Sequence, residues 1–212
     1  MHLDIKHVCF DLNKTLISEN TWLELNQAMG MTLEEDQRLC DLYETGDLSY
    51  INWQKKIEKI YIEKGKATKE NIKKVIFQYT YNPNAREMVK YLRERGYILS
   101  LVSGSVDLLV KKVANELKIS YFFSNNAFVF DADNYLSAIK CFGDDIKTKT
   151  IQLKRLCDEL KIDITETACI GDGDNDWEIF KVSQHGISFK GSKNKKYIWK
   201  EIGTLSDIKQ IL

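Results

Sequence analysis

The chain has 212 residues, 43% hydrophobic and 29% charged, enough for one domain with an insertion or two small domains. Lys+Arg and Asp+Glu both number 31, so no net field draws the protein to nucleic acid or an anionic membrane. Five cysteines, Cys9, Cys40, Cys141, Cys157 and Cys169, are scattered without CxxC spacing, which speaks against a disulfide frame or a zinc site. No apolar run approaches the ~18 residues of a membrane span, and the N-terminus lacks a basic segment followed by an apolar stretch. These features predict a cytoplasmic protein that is a monomer or homodimer.

In chain order, "IKHVCF" (5–10) is too short for a buried helix and ends at Asp11, as a strand covered on both faces does. Residues 17–82 then carry four consecutive helical patterns rich in charge and aromatics, separated by Gly30, Gly46 and Gly65. "NPNAREMVKYLRERGY" predicts a helix with Asn82 as N-cap and Pro83 at its first position, stopping at Gly96. A second buried strand, "YILSLVS" (97–103), leads into a helix over 106–120 and then a hairpin or extended excursion turning at "DADN". "KTIQLKRLCDELKI" has helical spacing, "TACIGD" (167–172) reads as a third buried strand, and "GISF" (186–189) as a weaker fourth. "KGSKNKKYIWK" (190–200) reads as a solvated surface loop and helix. The alternation of strand and helix predicts a doubly wound α/β sheet, interrupted by a helical insertion after the first strand.

Ligands of an open parallel sheet bind beyond the carboxyl ends of its strands. Three predicted strands end there in polar groups: Asp11, Ser103–Gly104 and Gly171–Asp172. Each alone has an ordinary explanation: Asp11 as a turn residue, Ser-Gly as a tight turn, and "GDGDND" as a surface loop or a calcium-type carboxylate cluster. The order of the three, with Lys149 ahead of the last, is what departs from chance. His2, His7 and His185 are scattered and are given no role.

With "DLNKT" (11–15), "SG" (103–104), Lys149 followed by Leu153, and "GDGDND" (171–176), the chain resembles the haloacid dehalogenase superfamily, in the layout of its phosphoserine phosphatase branch. The resemblance implies a Rossmann-like α/β core (1–16 and 83–212) and a helical cap domain (17–82). It implies a Mg²⁺-dependent phosphatase acting on a small-molecule phosphate ester. Asp11 would attack phosphorus and form an aspartyl-phosphate. Mg²⁺ would be held by Asp11, the Asn13 backbone carbonyl and Asp172, with Asp176 orienting a metal-bound water. Thr15, Ser103, Gly104, Lys149 and Asn175 would contact the phosphoryl group. Dehalogenases of the superfamily lack the magnesium-binding fourth motif, which would leave Asp172 and Asp176 without a purpose.

The residue matching Asn13 is normally an aspartate that protonates the leaving alcohol and then activates water. An amide does neither, and loss of a positioned general acid–base costs ~10²–10⁴ in rate. Three explanations stand open: a deliberate replacement of an original aspartate, a naturally slow phosphatase or phosphate-ester binder, or a reaction needing no proton at that point. In the cap, the positions that in this branch read a serine amine and carboxylate hold Asn20 and Ile57. Glu19 and Lys56 are the neighbouring substitutes, although lysine does not reproduce a bidentate arginine. Trp22, Tyr43, Tyr50 and Trp53 either line a more aromatic pocket or form the small core of the cap.

Overall fold

A computed structural model describes residues 4–173, 175–192 and 195–212. His2, Asp174 of the fourth motif, and Lys193 and Asn194 of the basic stretch lie outside the described residues. The chain folds around a seven-stranded sheet of order β4-β3-β2-β1-β5-β6-β7. At its centre lies β1 (His7–Phe10), hydrogen-bonded in parallel to β2 (Ile98–Val106) on one side and β5 (Thr167–Gly171) on the other. All four residues of β1 are buried, as a strand covered on both faces requires.

The pleat divides the core. Val8 and Phe10 point into the cluster that holds Met88, Val89 and Leu92 of α5 (Ala85–Glu94) and Val110 and Val113 of α6 (Asp107–Leu117). Cys9 points the other way, into Leu153 and Cys157 of α7 (Asp145–Leu160) and Ile179 and Phe180 of α8 (Trp177–Ser183). Helices therefore cover both faces, which is the doubly wound arrangement predicted. The five cysteines are free thiols. No helix among the described residues is long and apolar enough to cross a membrane.

The excursion after α6 is a hairpin: β3 (Tyr121–Phe130) runs parallel to β2, and β4 (Leu136–Cys141) returns antiparallel to it. On the opposite edge, β6 (Gly186–Phe189) and β7 (Ile198–Ile202) extend the sheet in parallel. The basic stretch expected as a surface loop and helix thus ends in a strand. As an edge strand β7 buries only Ile202 fully, so its sequence lacks the apolar run that marks an inner strand.

His7 sits in the sheet interior, its ring bonded through Nδ1 to the Thr167 hydroxyl (3.0 Å) and through Nε2 to the Ser100 hydroxyl (2.8 Å). Burial pulls its pKa down to about 4, because the site holds the neutral ring and would strand the imidazolium.

Between β1 and α5 lie the four predicted helices, α1 (Thr21–Ala28), α2 (Leu33–Glu44), α3 (Tyr50–Lys64) and α4 (Lys69–Ile76). Their starts are written locally. Asn20, Thr32, Ser49 and Thr68 each accept a backbone N–H, and Thr32 with Glu35 completes a capping box. Asn82, in contrast, does not cap α5. Asn84 precedes that helix in a left-handed conformation, without a side-chain cap bond. The Asn82 amide instead donates to the Thr15 carbonyl (2.8 Å) and its N–H to the Leu16 carbonyl (2.9 Å), tying together the two chain segments that lead into and out of the insertion. A second tie lies at the hairpin tip, where Leu136 N–H donates to Ala67 O and Lys69 N–H to Asn134 O, each at 2.8 Å.

Candidate active site

The carboxyl edge of the sheet gathers its polar residues from four segments. Asp11 follows β1 and is anchored by its N–H to the Ile170 carbonyl of β5 (2.9 Å). The chain then winds tightly, with the N–H groups of Leu16 and Ile17 on the Leu12 carbonyl and Lys14 in a left-handed turn (φ 55°). This winding carries the Thr15 hydroxyl back to within 3.5 Å of Asp11 Oδ2. Ser103 and Gly104, expected at the end of a strand, lie inside β2, which continues to Val106. Asp172 follows β5, and the loop closes as Gly173 N–H donates to Asp176 Oδ2 (3.4 Å). Gly171 must be glycine here, because a Cβ would overlap the Asp176 carboxylate.

The fourth segment is the first turn of α7. Asp144 caps the helix by accepting the Lys147 N–H (3.2 Å), so the helix starts four residues before Lys149 and not at it. Lys149 is fully buried and donates to Asp11 Oδ1 (2.7 Å), Asp176 Oδ1 (2.8 Å) and Asn175 Oδ1 (2.9 Å). Burial works against its charge, but Asp11, Asp176 and Asp145 outweigh it and raise its pKa well above that of a free lysine. Burial likewise pushes the Asp11 carboxyl upward, with Lys149 opposing and the Asp176 and Asp172 carboxylates adding to the rise. Ligand atoms of Asp11, Asp172 and Asp176 all lie within 4.8 Å of one another. Lys149 is bonded to two of these carboxylates and Lys14 lies 3.9 Å from the third, and a small hard divalent cation with oxygen ligands suits such a donor set.

These groups open into a cavity of about 430 Å³ roofed by the helical insertion. Asp11, Asn13, Ser103, Gly104, Asp172 and Asn175 line its floor. Asn13 Oδ1 accepts from the Thr21 hydroxyl of α1 (2.8 Å), and the Trp22 indole N–H donates to the Gly104 carbonyl (3.1 Å), so α1 is bonded directly to the floor. The roof holds Trp22, Tyr43, Tyr50 and Trp53, the aromatics for which both a pocket and a cap core were open; they line the cavity and pack on one another. Asn20 also lines it while capping α1. Glu19 and Lys56 do not line it: Glu19 accepts the Thr80 N–H (2.8 Å) at the linker, and Lys56 is exposed on α3. Ile57 of the same helix faces the cavity instead.

One participant escaped sequence reasoning. Asp145 is buried, lines the cavity, and accepts from the Asn125 amide (3.2 Å) and the Asn175 amide (2.6 Å). Burial raises its pKa, with Lys149 and the two amides opposing. It lies so close above Gly104 that a Cβ there would overlap its carboxylate. The available signal was its spacing: Asp145 and Lys149, four apart, share one face of α7. A larger groove of about 810 Å³, between α4 and the β3–β4 turn, is lined by Lys69, Lys73 and Lys74 but by no nucleophile poised beside a base and no carboxylate cluster. The smaller cavity is the candidate site.

Comparison with known proteins identifies the family. A family model described as haloacid dehalogenase-like hydrolase matches residues 8–181. The phosphoserine phosphatase of Methanocaldococcus jannaschii is 27% identical over 191 residues, covering 87% of this chain and 85% of that one. That of Streptococcus thermophilus is 34% identical over 119 residues, 55% of this chain and 54% of its own. A solved phosphoserine phosphatase with a phospho-aspartyl intermediate analogue superposes with a TM-score of 0.80 at 24% identity, over 98% of both chains.

Proposed function

This chain belongs to the haloacid dehalogenase-like hydrolases, and on that premise we propose that it is a Mg²⁺-dependent phosphomonoester phosphatase whose turnover is held back at Asn13. The observation that carries the reading is the convergence of Asp11, Lys149, Asp172 and Asp176 in one cluster at the carboxyl edge of the sheet. In this reading residues 1–16 and 83–212 form the core domain and 17–82 a cap that encloses a small phosphate ester.

An Asp11 carboxylate oxygen attacks phosphorus, and the bond from phosphorus to the ester oxygen breaks, its electron pair leaving on an alkoxide that takes a proton from solvent water to become the alcohol. Water then attacks the aspartyl-phosphate, freeing Asp11 and inorganic phosphate. Lys149, the Thr15 and Ser103 hydroxyls, the backbone N–H of Gly104 and the Asn175 amide hold the phosphoryl oxygens while charge redistributes over them. Asp11, Asp172 and the Asn13 carbonyl would hold the metal, with Asp176 orienting its water. When bound, the ion offsets the repulsion between an attacking carboxylate and a phosphate dianion.

Asn13 has no proton to give the leaving alcohol and no basic oxygen with which to activate water. Its Oδ1 is already engaged by Thr21. That bond favours a second reading, a relative that binds a phosphorylated ligand without efficient hydrolysis. The test is phosphate release from p-nitrophenyl phosphate with Mg²⁺ and with EDTA, for this protein and for Asn13→Asp. A gain of ~10²–10⁴ in the variant supports the assignment of position 13, and equal rates overturn it. Absence of Mg²⁺-dependent release from both proteins moves the binding reading ahead.

A further inference from the structure

We propose that the cavity takes the phosphate ester of a protonated amino alcohol that carries no carboxylate. The proposal rests on the phosphatase reading and names the substrate class of the same site. Away from the metal-binding cluster, the charged lining residues are Asp145, Asp36 and Glu44, all carboxylates. Lys14, the cation among the lining residues, belongs to the segment after β1 and lies 3.9 Å from Asp172. A substrate carboxylate directed at the roof would therefore meet like charge and find no guanidinium or ammonium there.

The Trp53 indole N–H is a buried donor without a partner, whereas the carboxylates and ring faces there suit a cation. Tyr43, Tyr50 and Trp53 form one aromatic wall, with ring centroids 5.2 to 6.2 Å apart. Aromatic faces attract an ammonium within about 6 Å of the ring. Asp145 is linked to this wall: its carboxylate lies against Gly104, and the Asn126 amide donates both to the Gly104 carbonyl (2.9 Å) and to the Tyr50 hydroxyl (3.1 Å). Its oxygens also touch the phosphate end through Asn175, so Asp145 stands between the two halves of the cavity. Asn125 and Asn175 give each carboxylate oxygen one donor, and each oxygen keeps further lone-pair capacity.

An independent observation comes from Gln54. This lining residue is 4% exposed, and its Oε1 is buried without a hydrogen-bond partner. A buried acceptor left unpaired is destabilising, and an N–H of a bound ammonium would satisfy it. Asp145, Gln54 and the aromatic wall together present a counter-ion, an acceptor and π faces.

The test compares kcat/KM for O-phosphoethanolamine, glycerol 3-phosphate and L-phosphoserine with Mg²⁺, and p-nitrophenyl phosphate reports separately on the phosphatase reading. The expected result is a preference of about tenfold or more for O-phosphoethanolamine over both others. That preference should shrink at least about fivefold in Asp145→Asn, and also in Tyr43→Leu, whose half-buried ring is removed at less risk to folding. If p-nitrophenyl phosphate is hydrolysed but O-phosphoethanolamine stays within about twofold of glycerol 3-phosphate, or L-phosphoserine is preferred, the proposal is overturned. If neither this protein nor Asn13→Asp hydrolyses p-nitrophenyl phosphate, the phosphatase reading fails by itself. Calorimetric titration then decides the substrate class: about tenfold tighter binding of O-phosphoethanolamine than of glycerol 3-phosphate supports it, and equal binding overturns it.

Discussion

Replacing His7 by glutamine removes a titrating group from the centre of the sheet while leaving an amide to meet Ser100 or Thr167. In the native protein the ring is buried and its pKa is near 4, against about 6.5 in the unfolded chain. A folded pKa that is depressed means the unfolded state takes up the proton first as pH falls. Stability is therefore complete above about pH 6.5 and is lost as pH drops towards 4. Integrating over that window gives a loss of about 2 kcal/mol by pH 5 and about 3 kcal/mol by pH 4. Asp11 contributes a slope of opposite sign, because a carboxyl raised by burial gains protons earlier in the folded state. That contribution is common to both proteins and cancels in their difference. The assay is urea unfolding of the natural chain and His7→Gln at pH 7.5, 6, 5 and 4.5, without metal. The stability of the natural chain relative to the variant should fall by about 2 kcal/mol between pH 7.5 and 5. A difference that stays flat within about 0.5 kcal/mol would refute the claim that His7 is held neutral by the fold.

Lys149→Met leaves Asp11 and Asp176 buried without their ammonium and should cost about 3–5 kcal/mol in urea unfolding; a loss below about 1 kcal/mol would mean the pair is not desolvated as described. Mg²⁺ at about 100 times its dissociation constant should stabilise the natural chain by about 2.7 kcal/mol, reversed by EDTA, and Asp172→Asn should remove most of that gain in a thermal melt. Gly186→Ala drives a Cβ into the Phe180 ring of α8 and should cost about 1–3 kcal/mol while phosphate release per folded molecule is unchanged, since β6 brings no side chain to the cavity; a silent substitution would show that α8 can retreat from the sheet.

What could be read in advance follows from where the information is local. Short apolar runs marked the inner strands β1, β2 and β5, and Gly30, Gly46 and Gly65 parted the four helices of the insertion, because both signals lie within a few residues of chain. The edge strand β7 was missed because exposure on one side removes the apolar signal. Asn82 was misread because its side chain serves a partner 67 residues away, which no local rule can weigh. Asp145 stayed hidden for the same reason: burying a carboxylate needs donors, and these arrive from Asn125 and Asn175, 20 and 30 residues distant. Lys56 looked apt by sequence distance, yet the turn of α3 presents Ile57 to the cavity and Lys56 to solvent.

The helical insertion is pinned at both ends, by Asn82 between its two linkers and by the backbone bonds of Ala67 and Lys69 to the β3–β4 tip. A flap hung on one side opens as wide as its hinge permits, whereas a bridge resting on two piers does not swing.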